Sequence, residues 1–278
     1  MVSLGKAELI FINGKFHTVD RENPVAEAVA IRDGKFLAVG TQADVMEYHS
    51  DGSKVVDLNG STAIPGLNDS HLHLIRGGLN YNLELRWEGV PSLADALRML
   101  KEQALRTPSP QWVRVVGGWS EFQFAERRMP TLDEINEAAP DTPVFILHLY
   151  DRALLNRAAL RVVGYTKDTP NPPGGEIQRD SNGNPTGMLI ARPNAMILYA
   201  TLAKGPKLPL EQQVNSTRQF MRELNRLGLT SAIDAGGGFQ NYPEDYEVIS
   251  ELHAKEQMTI RIAYNLFTQR PGHELEDF

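Results

Sequence analysis

The chain has 278 residues, 41% of them hydrophobic and 23% charged, a balance that suits an ordinary soluble globular protein with room for a sizeable core. Its net charge of −7 is spread along the chain, which argues against a nucleic-acid footprint; it has no cysteine, which excludes disulfides and thiolate metal ligands. The opening Met1 to Glu8 lacks the apolar run of a signal peptide, and no segment approaches the roughly 20 apolar residues of a membrane span. The expectation is a cytoplasmic protein without nucleic-acid or membrane partners.

Residues 8 to about 60 read as β-structure. Leu9-Ile10-Phe11-Ile12 is expected to meet Lys15-Phe16-His17-Thr18-Val19 across Asn13-Gly14, a dipeptide suited to a type I′ hairpin. Ala28-Val29-Ala30-Ile31 and Phe36-Leu37-Ala38-Val39 form a second such pair across Asp33-Gly34, and Lys54 to Leu58 is a further strand ending at Asn59-Gly60. Short strands in series with tight turns point to a small sandwich or barrel.

The next segment, a strand-like run over 62–68 followed by Asp69-Ser70-His71-Leu72-His73, carries the chemistry. Residues two apart on a strand project from the same face, so His71 and His73 can reach one metal ion. Neutral imidazole is a common ligand for zinc and similar ions. Asp69 either orients a metal-bound histidine or caps the turn.

Beyond residue 80 the pattern leaves simple β/α alternation. Ser92-Leu93-Ala94-Asp95 has the form of a capping-box start for a helix to about Leu105, and Thr131-Leu132-Asp133-Glu134 starts a shorter one. Trp112 to Val116 and Pro143 to His148 read as strands, and 171–175 and 182–185 as turns. Apolar spacing marks a helix from about 210 to 227. Leu229 to Ala235 is then a strand ending in Gly236-Gly237-Gly238, followed by a helix near 243–255 and a strand over Met258 to Tyr264.

The apolar strand, Pro65-Gly66 and Asp69-x-His71-x-His73 together resemble the opening of the metal-dependent amidohydrolase superfamily. The β leader and the long insertion resemble its third branch, which includes N-substituted formamide deformylases and exoenzyme regulatory proteins. The resemblance implies an α/β fold: a (β/α)8 TIM-like barrel of amidohydrolase type, represented by its first strands only, with an N-terminal β-sandwich segment and an α/β insertion. The expected division is a β-sandwich segment over 1–61, the first barrel strand with His-x-His over 62–79, the insertion over 80–208 and the next barrel units over 209–278.

What the resemblance implies for function is a metal-dependent hydrolase of C–N bonds in small, amide-like, non-peptide substrates. His71 and His73 would hold a divalent metal of the zinc type, one ion or two, that activates water and polarises the carbonyl. The remaining ligands and the general base normally come from later strands, so this sequence reads as the front half of a longer enzyme, and hydrolysis by this chain alone is not expected. The alternative is a truncated, catalytically inactive or regulatory relative; a deaminase or cyclic-amide hydrolase is a third reading. A homo-oligomer stays open.

Trp119 follows two glycines at a strand end and is either a pocket residue or a core tryptophan. Asp234 ends the second barrel strand, on the rim from which such barrels draw site residues, and is either a substrate contact or a cap or supporting acceptor. Arg192 stands where members of the family often carry lysine or glutamate; a guanidinium cannot bridge two metals, and an ion pair is its expected role. Near His148 many members carry Asp-Gly-His, but Asp151 occupies that histidine's place here. His17, His49, His253 and His273 are expected on the surface or in packing.

Overall fold

Asp33 and Gly34 take φ of 50° and 68° in the computed structural model, the positive values that a type I′ turn requires at both central residues. The predicted pairing follows: Ala28–Arg32 runs antiparallel to Lys35–Gly40, with a bulge at Ala30/Ile31. Asn13-Gly14 behaves differently. Leu9–Ile12 pairs antiparallel with Ala28–Arg32 and parallel with Lys54–Asp57, while Lys15–His17 leaves for a second sheet between Val25–Ala26 and Thr62–Ala63. The expected hairpin is therefore a sheet switch. Asn13 takes φ 53°, its carbonyl accepts from Gly60 N–H (2.7 Å) and Gly14 N–H donates to Glu27 O (3.0 Å), so the turn's bonds go to other segments instead of closing on the strand it left.

The structure describes residues 5–237, 240–266 and 272–277. Gly238, the last of the predicted glycine run, and the first four and last residues lie outside them. The chain divides into two units, Met1–Asn68 and Asp69–Phe278. The first holds the two sheets just described, with Ala7, Ile10, Ala28, Ala30 and Val45 as its buried cluster.

In the second unit, a five-stranded sheet runs in the order Gly175–Arg179, Pro185–Ala191, Arg152–Leu155, Val144–His148, Val113–Val115, antiparallel except for its last pair. The strand Val144–His148 is buried along its whole length, as a near-continuous apolar run requires. Leu93–Arg106 packs its buried Leu93, Ala96, Leu100 and Ala104 into the main core cluster, beginning at Ser92, whose hydroxyl accepts from Asp95 N–H (3.1 Å). Leu132–Ala138 starts with the predicted capping box of Thr131 and Glu134.

A three-stranded sheet has the order Arg261–Tyr264, Leu229–Asp234, Leu67–Leu72, its first pair parallel. The amphipathic helix Leu210–Arg226 places Met221 and Leu224 in a cluster with Leu74, Ala232, Val248 and Leu252. The class is α/β with mixed sheets, and among the described residues no sheet closes into a barrel. No helix among them is long and apolar enough to cross a membrane.

Candidate metal and ligand site

Pro65-Gly66 splits the predicted 62–68 strand, so its second part starts at Leu67 and ends at Leu72. His71 lies on that strand, but His73 lies just past it, at the N-cap of the helix Leu74–Asn80 with φ −108° and ψ 65°. The two rings nevertheless lie close, edge to face, with centroids 5.4 Å apart. Two imidazoles on one tetrahedral zinc, at Zn–N of about 2.0–2.1 Å, bring their ring centres to about 5 Å.

His73 Nδ1 is 2.7 Å from Gly236 O. A carbonyl can only accept, so Nδ1 carries the proton and Nε2 keeps its lone pair, the tautomer of a histidine ready to ligate. Gly236 takes φ +69°, and a Cβ there would stand 2.7 Å from Asn265 O; glycine lets the carbonyl reach the ring. Asp69 Oδ1 accepts from the backbone N–H of exposed His71 (2.9 Å), a turn contact that leaves the ring to other partners.

Asp234 is fully buried. Its Oδ2 accepts from Ile75 N–H (2.8 Å) and its Oδ1 from Gly236 N–H (2.9 Å). One carboxylate thus ties the start of the helix that follows His73 to the glycine that accepts from its ring. Trp119 is 4% exposed, donates from Nε1 to Leu147 O (3.0 Å) and packs against Trp87 and Phe124. The glycines before it, Gly117 and Gly118, line a cavity of about 320 Å³ beside His73, while Trp119 itself does not line it.

Arg76, Glu84, Arg114, Tyr150 and Tyr199 share that cavity with His73, and none of them stood out in the sequence. Burial is the main reason that the Glu84 carboxyl is pushed up to about 7; Arg86, 3.3 Å away, opposes the shift and Glu88 adds to it. A carboxyl of this kind can hold or give a proton near neutrality. Burial, then Tyr150, pushes Tyr199 up to about 12, so its hydroxyl keeps its proton.

Tyr150 reaches the cavity from a strained turn. Leu149 and Tyr150 take φ of 44° and 62°, and Asp151 N–H donates to His148 O (3.0 Å). Left-handed backbone at two successive bulky residues is costly. The double substitution Leu149→Asn with Tyr150→Gly puts an Asn-Gly pair, suited to positive φ, at this turn. It is expected to stabilise the fold by about 1–3 kcal/mol in a denaturant melt. A loss of stability would mean the Tyr150 side chain contributes more than its backbone costs.

His148 faces Glu121 Oε2 from Nε2 (2.7 Å) and Asp151 Oδ1 from Nδ1 (3.1 Å), so both ring nitrogens already have partners. Arg192 is exposed, and among the described residues no carboxylate makes the expected ion pair with it. His17, His253 and His273 are exposed and His49 half-buried. Among the described residues no group of three or more histidine or carboxylate side chains comes together to hold a metal. The pair His71 and His73 fits the donor chemistry of a zinc-type ion and supplies two of the three or four protein ligands that such sites use.

The profile of the Amidohydrolase family matches residues 54–278. The chain is 32% identical over 234 residues to Protein LONG AFTER FAR-RED 3 of Arabidopsis thaliana, covering 84% of this chain and 39% of that protein. It is 31% identical over 230 residues to the N-substituted formamide deformylase of Arthrobacter pascens, covering 82% and 42%. The chain thus spans about two-fifths of the length of these curated relatives. A crystal structure of an uncharacterized metal-dependent hydrolase from Pyrococcus horikoshii OT3 shares the fold, with a TM-score of 0.61 over 93% of this chain and 48% of that one, at 22% identity.

Proposed function

The chain belongs to the amidohydrolase family, and from that premise we propose that the whole protein is a metal-dependent hydrolase of C–N bonds in small, amide-like, non-peptide substrates. The observation that carries this reading is His73, its Nδ1 proton fixed on Gly236 O and its ring beside His71. His71 and His73 hold a divalent ion, which we assign as zinc, in a site of one ion or two. When bound, such an ion supplies activated water and polarises the scissile carbonyl. The chain's own residues bind and orient the substrate in the cavity beside His73, where Glu84 can hold a proton and Tyr199 remains a donor. Trp119 supports the Gly117-Gly118 wall of that pocket, and Asp234 supports His73.

The sheet of Leu67–Leu72, Leu229–Asp234 and Arg261–Tyr264 is read as the first strands of a (β/α)8 barrel, with 1–61 as the β-sandwich segment, 62–79 as the first barrel strand with His-x-His, 80–208 as the insertion and 209–278 as the next barrel units. Cytoplasmic location belongs to the same reading. A regulatory, non-catalytic role is the second reading, supported by one observation: among the described residues the donor set stops at two histidines. The test is hydrolysis of a panel of N-substituted formamides and simple amides by the whole protein, stripped with a chelator and resupplied with zinc. Activity that disappears on stripping and returns with the ion is expected. A stripped protein that retains full activity, or a resupplied one that hydrolyses no amide, would overturn the reading.

A further inference from the structure

A second, smaller cavity of about 120 Å³ adjoins the one beside His73, and Arg76, Asn80, Arg114, Tyr199 and Leu202 line both. Its own wall adds Lys207, Gln240 and Asp245. Gln240 is 2% exposed, and neither its Nε2 nor its Oε1 has a hydrogen-bond partner. Arg114 is 5% exposed; one of its terminal nitrogens donates to Pro206 O (2.9 Å), while its Nε has no partner. Gly205 makes room for that guanidinium, since a Cβ there would stand 2.7 Å from Arg114 Nη2.

Buried polar groups are almost always satisfied, and each exception asks for a missing partner. Here two exceptions line one small cavity. Three cationic side chains, Arg76, Arg114 and Lys207, line this cavity with one carboxylate, Asp245, whose Oδ1 is already 3.2 Å from Lys207 Nζ; a second carboxyl, Glu84, acts on Arg114 and Arg76 from the adjoining cavity. Arg76 stacks over Tyr199, 5.0 Å from its ring centre. The excess charge is positive and comes from guanidinium groups, whose planar forks match a carboxylate. Gln240 offers an amide N–H₂ to the same kind of acceptor. The volume suits a group of a few heavy atoms, each water-sized unit taking about 30 Å³.

We propose that this cavity is a subsite for a small carboxylate, held by Arg114 and Arg76 and by the amide of Gln240. Because its walls continue into the cavity beside His73, a ligand anchored here by its carboxylate extends toward that histidine. The subsite itself does not depend on a bound metal, so its test can fail or succeed separately from the hydrolase reading.

The test is titration of the metal-free chain with sodium acetate, followed by NMR, with inorganic phosphate and methylammonium as comparison probes. Saturable acetate binding is expected, weakened at least tenfold in both Gln240→Leu and Arg114→Met, with methylammonium failing to bind. Gln240→Leu replaces a partnerless amide by an apolar group of similar size, so it keeps the test open should Arg114→Met fail to fold, and a thermal melt checks the state of each variant. No saturable acetate binding, acetate binding unchanged in a folded Gln240→Leu, or phosphate binding in preference to acetate would each overturn the proposal.

Discussion

Asp234→Ala is expected to destabilise the second unit by about 3 kcal/mol and to weaken zinc binding ten- to a hundredfold. The stability term follows from two buried N–H groups, those of Ile75 and Gly236, that lose a shared carboxylate acceptor; a hydrogen bond to a charged partner contributes about 1.5–3 kcal/mol. The affinity term follows from geometry. Asp234 fixes both the helix start next to His73 and the glycine whose carbonyl orients its ring, and partners of this supporting kind set ligand orientation. Asn at this position keeps one acceptor and turns an amide N–H₂ toward the other backbone N–H, so Asp234→Asn should recover part of the loss. Denaturant melts and zinc titrations of the three proteins check this. A stability change below about 1 kcal/mol in Asp234→Ala, with zinc affinity intact, would show that the strand end holds its shape without the carboxylate.

Glu84→Gln is expected to remove a pH dependence of stability worth about 3 kcal/mol. Burial raises the folded-state pKa to about 7, above the ordinary glutamate range, so the folded chain binds the proton more tightly than the unfolded chain does. The stability linked to that proton is fully present below about pH 4.5 and is lost as the pH rises through about 7. A displacement of this size corresponds to about 3 kcal/mol, at about 1.4 kcal/mol for each pKa unit. Wild type should therefore weaken between pH 5 and 8 more steeply than Glu84→Gln, and the variant should gain on it at the alkaline end. Removing the contact with Arg86 (3.3 Å) offsets the two curves but leaves the difference in slope. Parallel stability curves across that range would show that Glu84 titrates as an exposed carboxylate.

Local chemistry was the part of the fold that could be read in advance. Asp33-Gly34 closes its hairpin because the turn and both strands are contiguous, and Ser92 and Thr131 cap their helices through residues three positions on. Asn13-Gly14 carries the same kind of turn signal and fails as a hairpin, because its partners, Glu27 and Gly60, are 13 and 47 residues beyond Gly14 and Asn13 respectively. The histidine pair was visible as a motif, but its geometry was not: Pro65-Gly66 shifts the strand, and His73 owes its orientation to Gly236, 163 positions away. Arg76, Glu84, Arg114 and Tyr199 left no local mark. Each looks like an ordinary charged or aromatic residue until packing brings it to one cavity wall, and only burial makes the carboxyl of Glu84 and the guanidinium of Arg114 unusual.

The proposed function turns on His71 and His73 as metal ligands. X-ray absorption of the zinc-loaded chain can decide this, because imidazole coordination leaves a distinct outer-shell scattering pattern that counts the rings bound. Two imidazoles at Zn–N of about 2.0–2.1 Å in wild type, one in His73→Ala and none in the double alanine variant, is the predicted result. The same imidazole count in wild type and in the double variant would mean that the metal is held elsewhere and that His71 and His73 are not its ligands.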